Sequence, residues 1–352
     1  MPVSSRWTRT AAAISIAYAI TALAGVDGPS RADTVADFYR GKTIYIITGQ
    51  AGGAAYDFLA RVLANTWSKH IPGNPSFAVE NMPGAASLVM VNHLYNRAAR
   101  DGTVMGMPNN SILLEPRPKA LSRDGSTAHF DLAKMSFIGT PTQQPQVLWV
   151  WHSVPAQSAE DLKKSKFILG ATSAGGDSFL SPTLANSLIG TQFTITTGYQ
   201  GINEIFVAAE RGEVDGGSAN YSSLLGNQDL LRDNKMRVLI QFGADRISDL
   251  KDVPTAIDLA RDEPARQALR VFAMKFKTAY PILLPPEVPS ERVKALQDSF
   301  DALMNDAQFI VDAKKIGIDI DPVGGEDIRK LLAEIDAVPQ DVVDRLAKII
   351  NQ

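Results

Sequence analysis

Gly49-Gln50-Ala51-Gly52-Gly53-Ala54-Ala55-Tyr56-Asp57 lies between a strand-like run, Thr43–Thr48, and a helical spacing that begins near Phe58. Residues this small let the backbone turn sharply and leave its N–H groups uncovered. A helix start carries unpaired N–H groups and a partial positive charge, so a strand–turn–helix of this composition suits an anion. No Lys or Arg falls between Gly49 and Asp57, so backbone dipoles would do the holding. Taken alone, the stretch reads equally well as an ordinary turn with Asp57 near the helix start.

The same layout recurs downstream. Phe167–Ala171 is strand-like and leads into Thr172-Ser173-Ala174-Gly175-Gly176-Asp177-Ser178, again without a basic residue. Thr194–Thr197, Gly198-Tyr199-Gln200-Gly201 and a helix over Glu204–Glu210 make a third unit. Further strands are predicted at Phe77–Val79, Thr103–Met107, Phe137–Thr140, Val147–Trp151, Val214–Ala219 and Val238–Phe242. Leu88, Val91 and Leu94 recur at helical spacing. Ser158 reads as a helix cap with Asp161 at N3, and Ser290 as the cap of a helix burying Val293, Leu296, Phe300 and Leu303. A last helix opens at Pro339, and Glu115–His129 reads as an exposed loop. This alternation predicts α/β layers with largely parallel sheets, and 352 residues predict two lobes rather than one core. Tyr56, Asn109, Asn110, Tyr199, Asn220 and Tyr221 fall at the carboxyl ends of predicted strands, where open α/β sheets bind ligands.

The N-terminus reads as an export signal. Arg6 and Arg9 precede an apolar run, Ala11–Ala24, and Ser30-Arg31-Ala32 offers small residues for a cut, which assigns residues 1–32 to a cleaved peptide. The apolar run is shorter than the roughly 20 residues that span a bilayer. Removing it takes away Arg6, Arg9 and Arg31 against Asp27, so the mature chain is more acidic than the formal net charge of −3. An acidic chain without a basic tract does not fit nucleic acid. The absence of cysteine excludes disulfides and thiolate metal sites.

Catalytic patterns fail one by one. Ala171-Thr172-Ser173-Ala174-Gly175 approaches a nucleophile elbow but lacks its first glycine, and His70, His93, His129 and His152 all precede Ser173, the wrong order for that triad. No His-x-x-x-His pair suggests zinc, and the glycine turns lack the Lys-Ser/Thr of a P-loop. The reading is a non-enzyme without cofactor or metal.

Several motifs, in order over about 300 residues, carry a resemblance. Gly52-Gly53, Asp57 and Ala60-Arg61 are similar to the P-G-G-x-x-D-x-x-A-R opening of the Bug family, the extracytoplasmic receptors of tripartite tricarboxylate transporters. Val79-Glu80-Asn81-Met82-Pro83-Gly84-Ala85 resembles their V-E-N-x-P-G-A segment, and Ala99-Arg100-Asp101-Gly102-Thr103 their approach to the third strand. Gly198-Tyr199-Gln200-Gly201, Gly212-Glu213-Val214-Asp215 and Leu250-Lys251-Asp252-Val253-Pro254-Thr255 match later motifs in whole or part. Tyr56 stands where the family has a small Thr or Ser.

The resemblance implies a two-lobed α/β fold of the type II periplasmic binding protein kind, with a ligand cleft between the lobes. The crossings would lie near Thr142 and Gly243, so that residues 33–142 with 244–352 form one lobe and 143–243 the other. It also implies a periplasmic monomer that hands a small organic carboxylate to a transporter with one large and one small membrane subunit. A ligand-binding partner of a sensory receptor is the alternative. Family members hold a carboxylate through backbone groups and bridging waters on two turns. Carried over, the ligand-binding residues are Gln50, Ala51, Gly52, Gly53, Tyr56 and Asp57 on the first turn, and Ser173, Gly175, Gly176, Asp177 and Ser178 on the second. Asn109, Tyr199 and Asn220 complete the set. Asp57 is expected to cap the first helix or to receive a ligand hydroxyl or amine.

Overall fold

The computed structural model describes residues 34–114 and 129–350; the expected export segment and all of the expected loop except His129 lie outside them. Two mixed sheets organise the chain. Sheet A contains β1 (Thr43–Thr48), β2 (Ser76–Asn81), β3 (Val104–Met107), β4 (Ser136–Thr140), β10 (Ile282–Leu284) and β11 (Val323–Gly324), in the order β11-β4-β10-β3-β1-β2. Sheet B contains β5 (Gln146–Trp151), β6 (Lys166–Ala171), β7 (Gln192–Thr197), β8 (Gly216–Asn220) and β9 (Met236–Gln241), in the order β7-β6-β8-β5-β9.

Each sheet has a parallel half and an antiparallel half. β1 runs parallel to both β2 and β3, and β6 to both β7 and β8. β10 is antiparallel to β3 and β4, β11 to β4, and β5 to β8 and β9. The predicted parallel sheets therefore hold only around the two small-residue turns. Hydrophobic period cannot report strand direction, because a strand alternates its faces whichever way it runs.

The twelve helices of the described residues are α1 (Val35–Tyr39), α2 (Ala55–Trp67), α3 (Leu88–Asn96), α4 (Asp177–Leu188), α5 (Ile202–Glu210), α6 (Tyr221–Leu225), α7 (Gln228–Arg232), α8 (Glu263–Met274), α9 (Ser290–Met304), α10 (Ala307–Lys315), α11 (Gly325–Ala337) and α12 (Gln340–Ile350). α2 and α9 cover one face of sheet A and α10 packs on both helices, in a cluster where Leu59, Leu63, Trp67, Phe300 and Phe309 are buried with Ile44 and Ile46. A second apolar cluster is continuous from Leu88, Val91 and Leu94 of α3 through α8 to sheet B. None of the helices is long and apolar enough to cross a membrane among the described residues.

Two local expectations shift. The Ser158 hydroxyl and Asp161 do hydrogen-bond as a capping pair, but only a single 3-10 turn, Asp161–Lys163, follows. Ser290 is the first helical residue and Pro289 the cap. A cap motif organises a turn without guaranteeing enough apolar spacing to extend it.

Sheet A hands the chain to sheet B between Thr140 and Gln146, and the chain returns to sheet A between Gln241 and Ile282. On that return, α8 packs against α4, and α12 packs against both. A Cβ added at Gly243 would lie 3.4 Å from the Pro145 side chain, so the two passages run side by side.

Close backbone approach fixes sheet B at Gly216, where an added Cβ would meet the Trp149 carbonyl oxygen at 2.1 Å and the Val150 Cα at 2.8 Å. Gly216→Ala should lower stability by about 1–3 kcal/mol. Urea unfolding of the variant checks this, and a midpoint equal to that of wild type would refute it.

Candidate functional site

The first turn is built around a buried carboxylate. The N-cap of α2 is Ala54, which offers no side-chain cap. Asp57, 3% exposed, reaches back instead and accepts from the Gly53 N–H at 3.0 Å. It also accepts from Arg61 at 2.9 and 3.1 Å and from the Asn81 amide at 3.1 Å. The Arg61 guanidinium leads these contacts in holding the carboxyl below its usual range, against the opposing effect of burial. Asn81, the last residue of β2, also donates to the Thr48 hydroxyl and the Gln50 carbonyl. Asp57 is thus fully answered from within the chain, and it shapes the turn. Gly53 adopts a φ of +83°, a left-handed conformation open to glycine.

A third loop braces this turn. Ser87, fully buried, donates through its hydroxyl to the Gly49 carbonyl at 3.1 Å and accepts from the Asn109 N–H at 3.0 Å. It ends a run of left-handed residues, Ala85, Ala86 and Ser87, with φ of 45°, 50° and 81°. L-residues pay roughly 1–2 kcal/mol each for that region, so the segment is held there by its surroundings.

The second turn repeats the design with a hydroxyl in place of the carboxylate. α4 has Gly176 as N-cap and no side-chain cap. The buried Ser178 hydroxyl accepts from the Thr172 N–H at 3.1 Å and shares a hydrogen bond with the Thr172 hydroxyl at 3.0 Å. Ala51, Gly52, Gly53, Ser173 and Gly175 are exposed, while Gln50, Gly176 and Asp177 are half-buried.

Side chains connect the turns. The Tyr56 hydroxyl donates to the Ala279 carbonyl at 2.6 Å and accepts from the Asn110 N–H at 3.2 Å, and its ring meets Tyr280 with centroids 4.6 Å apart. Burial pushes the phenol pKa up, with the charges of Tyr280 and Asp177 adding to the effect. Asn110 donates to the Lys275 carbonyl at 3.0 Å, and the Lys275 ammonium pairs with Asp177. Gln144 donates to the Tyr280 hydroxyl at 3.4 Å and stands 3.5 Å from the Asn220 amide. Tyr56, Asp177 and Asn220 are therefore brought into one network. The Asn109 side chain closes its own turn by accepting from the Ser111 N–H. Tyr199 packs over Gly170 of β6, and its neighbour Gly198 donates to the Thr172 carbonyl.

Sequence reading assigned no site role to Asn81, Ser87, Gln144, Lys275 or Tyr280. Asn81 lies inside a quoted motif and could have been found there. Lys275 meets Asp177 only through the fold. A cavity of about 430 Å³ lies beside the passages between sheets, lined by Gln144, Pro145, Tyr221, Gly243, Phe276 and Lys277 among others. No residue of 49–57 or 172–178 lines it, so the exposed backbone of the turns is a separate feature. Among the described residues there is no cluster of three or more His, Asp or Glu suited to a metal.

No family model matches the sequence, and no curated protein sequence does. Solved structures do share the fold. A TctC solute-binding protein from Polaromonas, solved without ligand, superposes with a TM-score of 0.69 at 16% identity, covering 88% of this chain and 99% of that one. An R. palustris protein solved with adipate gives 0.55 at 20% identity, covering 87% and 97%. The periplasmic binding protein BugD gives 0.50 at 18% identity, covering 88% and 97%. The structural neighbours of this chain thus include TctC and BugD, and its two α/β sheets have their periplasmic binding protein fold.

Asp57→Asn should cost about 1–3 kcal/mol of stability at neutral pH, because hydrogen bonds to a charged, buried acceptor are weakened together. The native carboxyl pKa lies below its unfolded value of about 3.9, so this contribution is complete above that value and is lost as pH falls through the native pKa. Urea unfolding of both proteins at pH 7 and pH 3 should show the gap narrowing in acid; a gap that widens refutes the assignment.

Proposed function

We propose that this chain is an exported receptor of the Bug family, which closes two lobes around a small organic carboxylate and delivers it to a tripartite transporter with one large and one small membrane subunit. One observation carries the reading: two helices, one following a strand of each sheet, start without a side-chain cap beside turns whose backbone is exposed. Helix starts of this kind present N–H groups and a positive dipole end to an anion. Arg61 offsets the negative charge of Asp57, so the first turn does not repel a carboxylate. That one solved neighbour of the fold was captured with adipate is consistent with an acid as ligand.

In this reading the ligand lies against the backbone of Gln50–Gly53 and of Ser173–Gly176. The Gly53 N–H serves Asp57 and the Gly176 N–H the Ser173 carbonyl, so the ligand draws on the other N–H groups of the turns and helix starts. The Tyr56 hydroxyl already serves Ala279 and Asn110, so only the ring remains to offer a ligand. The lobes divide as 33–142 with 244–352, and 143–243, except that α8 and α12, packed on α4, move with the second lobe. Closure turns about the passages near Pro145 and Gly243, and the ligand favours it by binding the closed state better. The receptor acts as a periplasmic monomer, released by cleavage after residue 32, and performs no catalysis.

A thermal-shift screen of mono-, di- and tricarboxylates tests the proposal. A ligand at a hundred times its Kd adds about 2.7 kcal/mol of stability, so at least one acid should raise the melting temperature clearly. A flat response across the three classes rejects the reading. Gly53→Val forces a β-branched residue to a φ of +83° and should weaken the best acid at least tenfold, or about 1.4 kcal/mol. Titration calorimetry giving wild-type affinity would remove the first turn from the site.

A further inference from the structure

Lys275 is a basic side chain that the fold carries to the second turn, and it is an unusual lysine. It follows α8 directly and is only 8% exposed. Its backbone carbonyl is held by the Asn110 amide and the Thr278 hydroxyl, so its stem is fixed at the seam where α8, the segment after β3 and α4 meet. The ammonium lies over two aromatic faces, 4.7 Å from the Phe272 centroid and 5.1 Å from that of Phe276. Its ion-pair partner is Asp177, the first residue of α4, whose side chain is 35% exposed.

The chemistry of that pair is asymmetric. An ammonium has three donors in any direction, and an aromatic face stabilises the cation without offering a lone pair. Lys275 is buried with its charge and must keep an anion beside it. Asp177 is not so bound: it is partly solvated and reaches water when released. Its position at a helix start also places a carboxylate where the α4 dipole favours negative charge. The pair thus joins a buried cation to a partly exposed carboxylate, which follows the exposed residues Ser173 and Gly175 closely in the chain.

We infer that Asp177 is a tethered stand-in for a ligand carboxylate on Lys275, and that Lys275 is the residue selecting acids that carry a second carboxylate. The inference rests on the receptor reading above. One carboxylate of the ligand lies on backbone N–H groups, and the other displaces Asp177 into solvent and takes its place against Lys275. A mono-acid leaves the Lys275–Asp177 pair intact and gains nothing from it.

The experiment is calorimetric titration of wild type, Asp177→Asn and Lys275→Met with three matched pairs: succinate and butyrate, glutarate and pentanoate, adipate and hexanoate. Asp177→Asn removes the competitor, so affinity for the best di-acid should rise at least tenfold while its matched mono-acid changes less than threefold. Lys275→Met keeps an unbranched side chain over Phe272 and Phe276 and should erase the preference for the di-acid. Asp177→Asn strands a buried charge, so a melting curve accompanies it; where that curve shows the lobe unfolded, Lys275→Met alone decides. Di-acid to mono-acid ratios unchanged in the folded variants overturn the inference while leaving the receptor reading standing. If wild type binds none of the six acids, di-acid binding by Asp177→Asn alone supports the stand-in role, and no binding by either protein overturns it. Failure of the receptor reading shows separately, as a flat wild-type response in the wider screen.

Discussion

A buried carboxylate destabilises a fold unless its oxygens are answered, and Asp57 is answered four times by three residues of its own chain. That single constraint arranges much of the first turn. Satisfying Asp57 fixes Gly53 in its left-handed conformation, brings the end of β2 against the turn through Asn81, and turns Arg61 back along α2. The turn can then be made of residues with almost no side chain and still hold one shape. Side chains that would ordinarily stiffen such a loop would also cover its N–H groups. Here stiffness comes from beneath, and the outer surface stays bare.

How much of this could be read in the sequence depends on how far apart the interacting residues lie. Thr43–Thr48 is found with the bounds read from its β-branched run, because three isoleucines within six residues define a strand locally. The two turns and their helices were equally legible, since glycine and alanine act on their own backbone. Ser87 was not: nothing in Ala85-Ala86-Ser87 announces three successive positive φ values, which exist because Gly49 and Asn109 need the Ser87 hydroxyl where it is. Tyr56 illustrates the same limit. Its ring was expected at the turn, but its hydroxyl finds the Ala279 carbonyl and Asn110 N–H through tertiary structure alone.

The two turns also show that one architecture tolerates different chemistry. Asp57 secures the first turn with a charge and needs Arg61 to balance it. Ser178 secures the second with a neutral hydroxyl bonded to Thr172. The charge of the second turn resides in Asp177 instead, outside the turn's own bracing, and is matched by a lysine from a distant segment. The charge of the first turn is therefore balanced within α2 itself, whereas that of the second depends on where α8 ends.

That dependence has a kinetic side. The strands of sheet B all fall between Gln146 and Gln241, yet the apolar face of α4 is covered by α8 and by α12, which come much later in the chain. Sheet B cannot be finished as an autonomous unit, and its helix layer stays open to water until far-separated segments arrive. Folding governed by contacts of such long sequence separation is slow. The helix layer over sheet B is therefore the last part of the core to close, because the segments that close it are the last to be made.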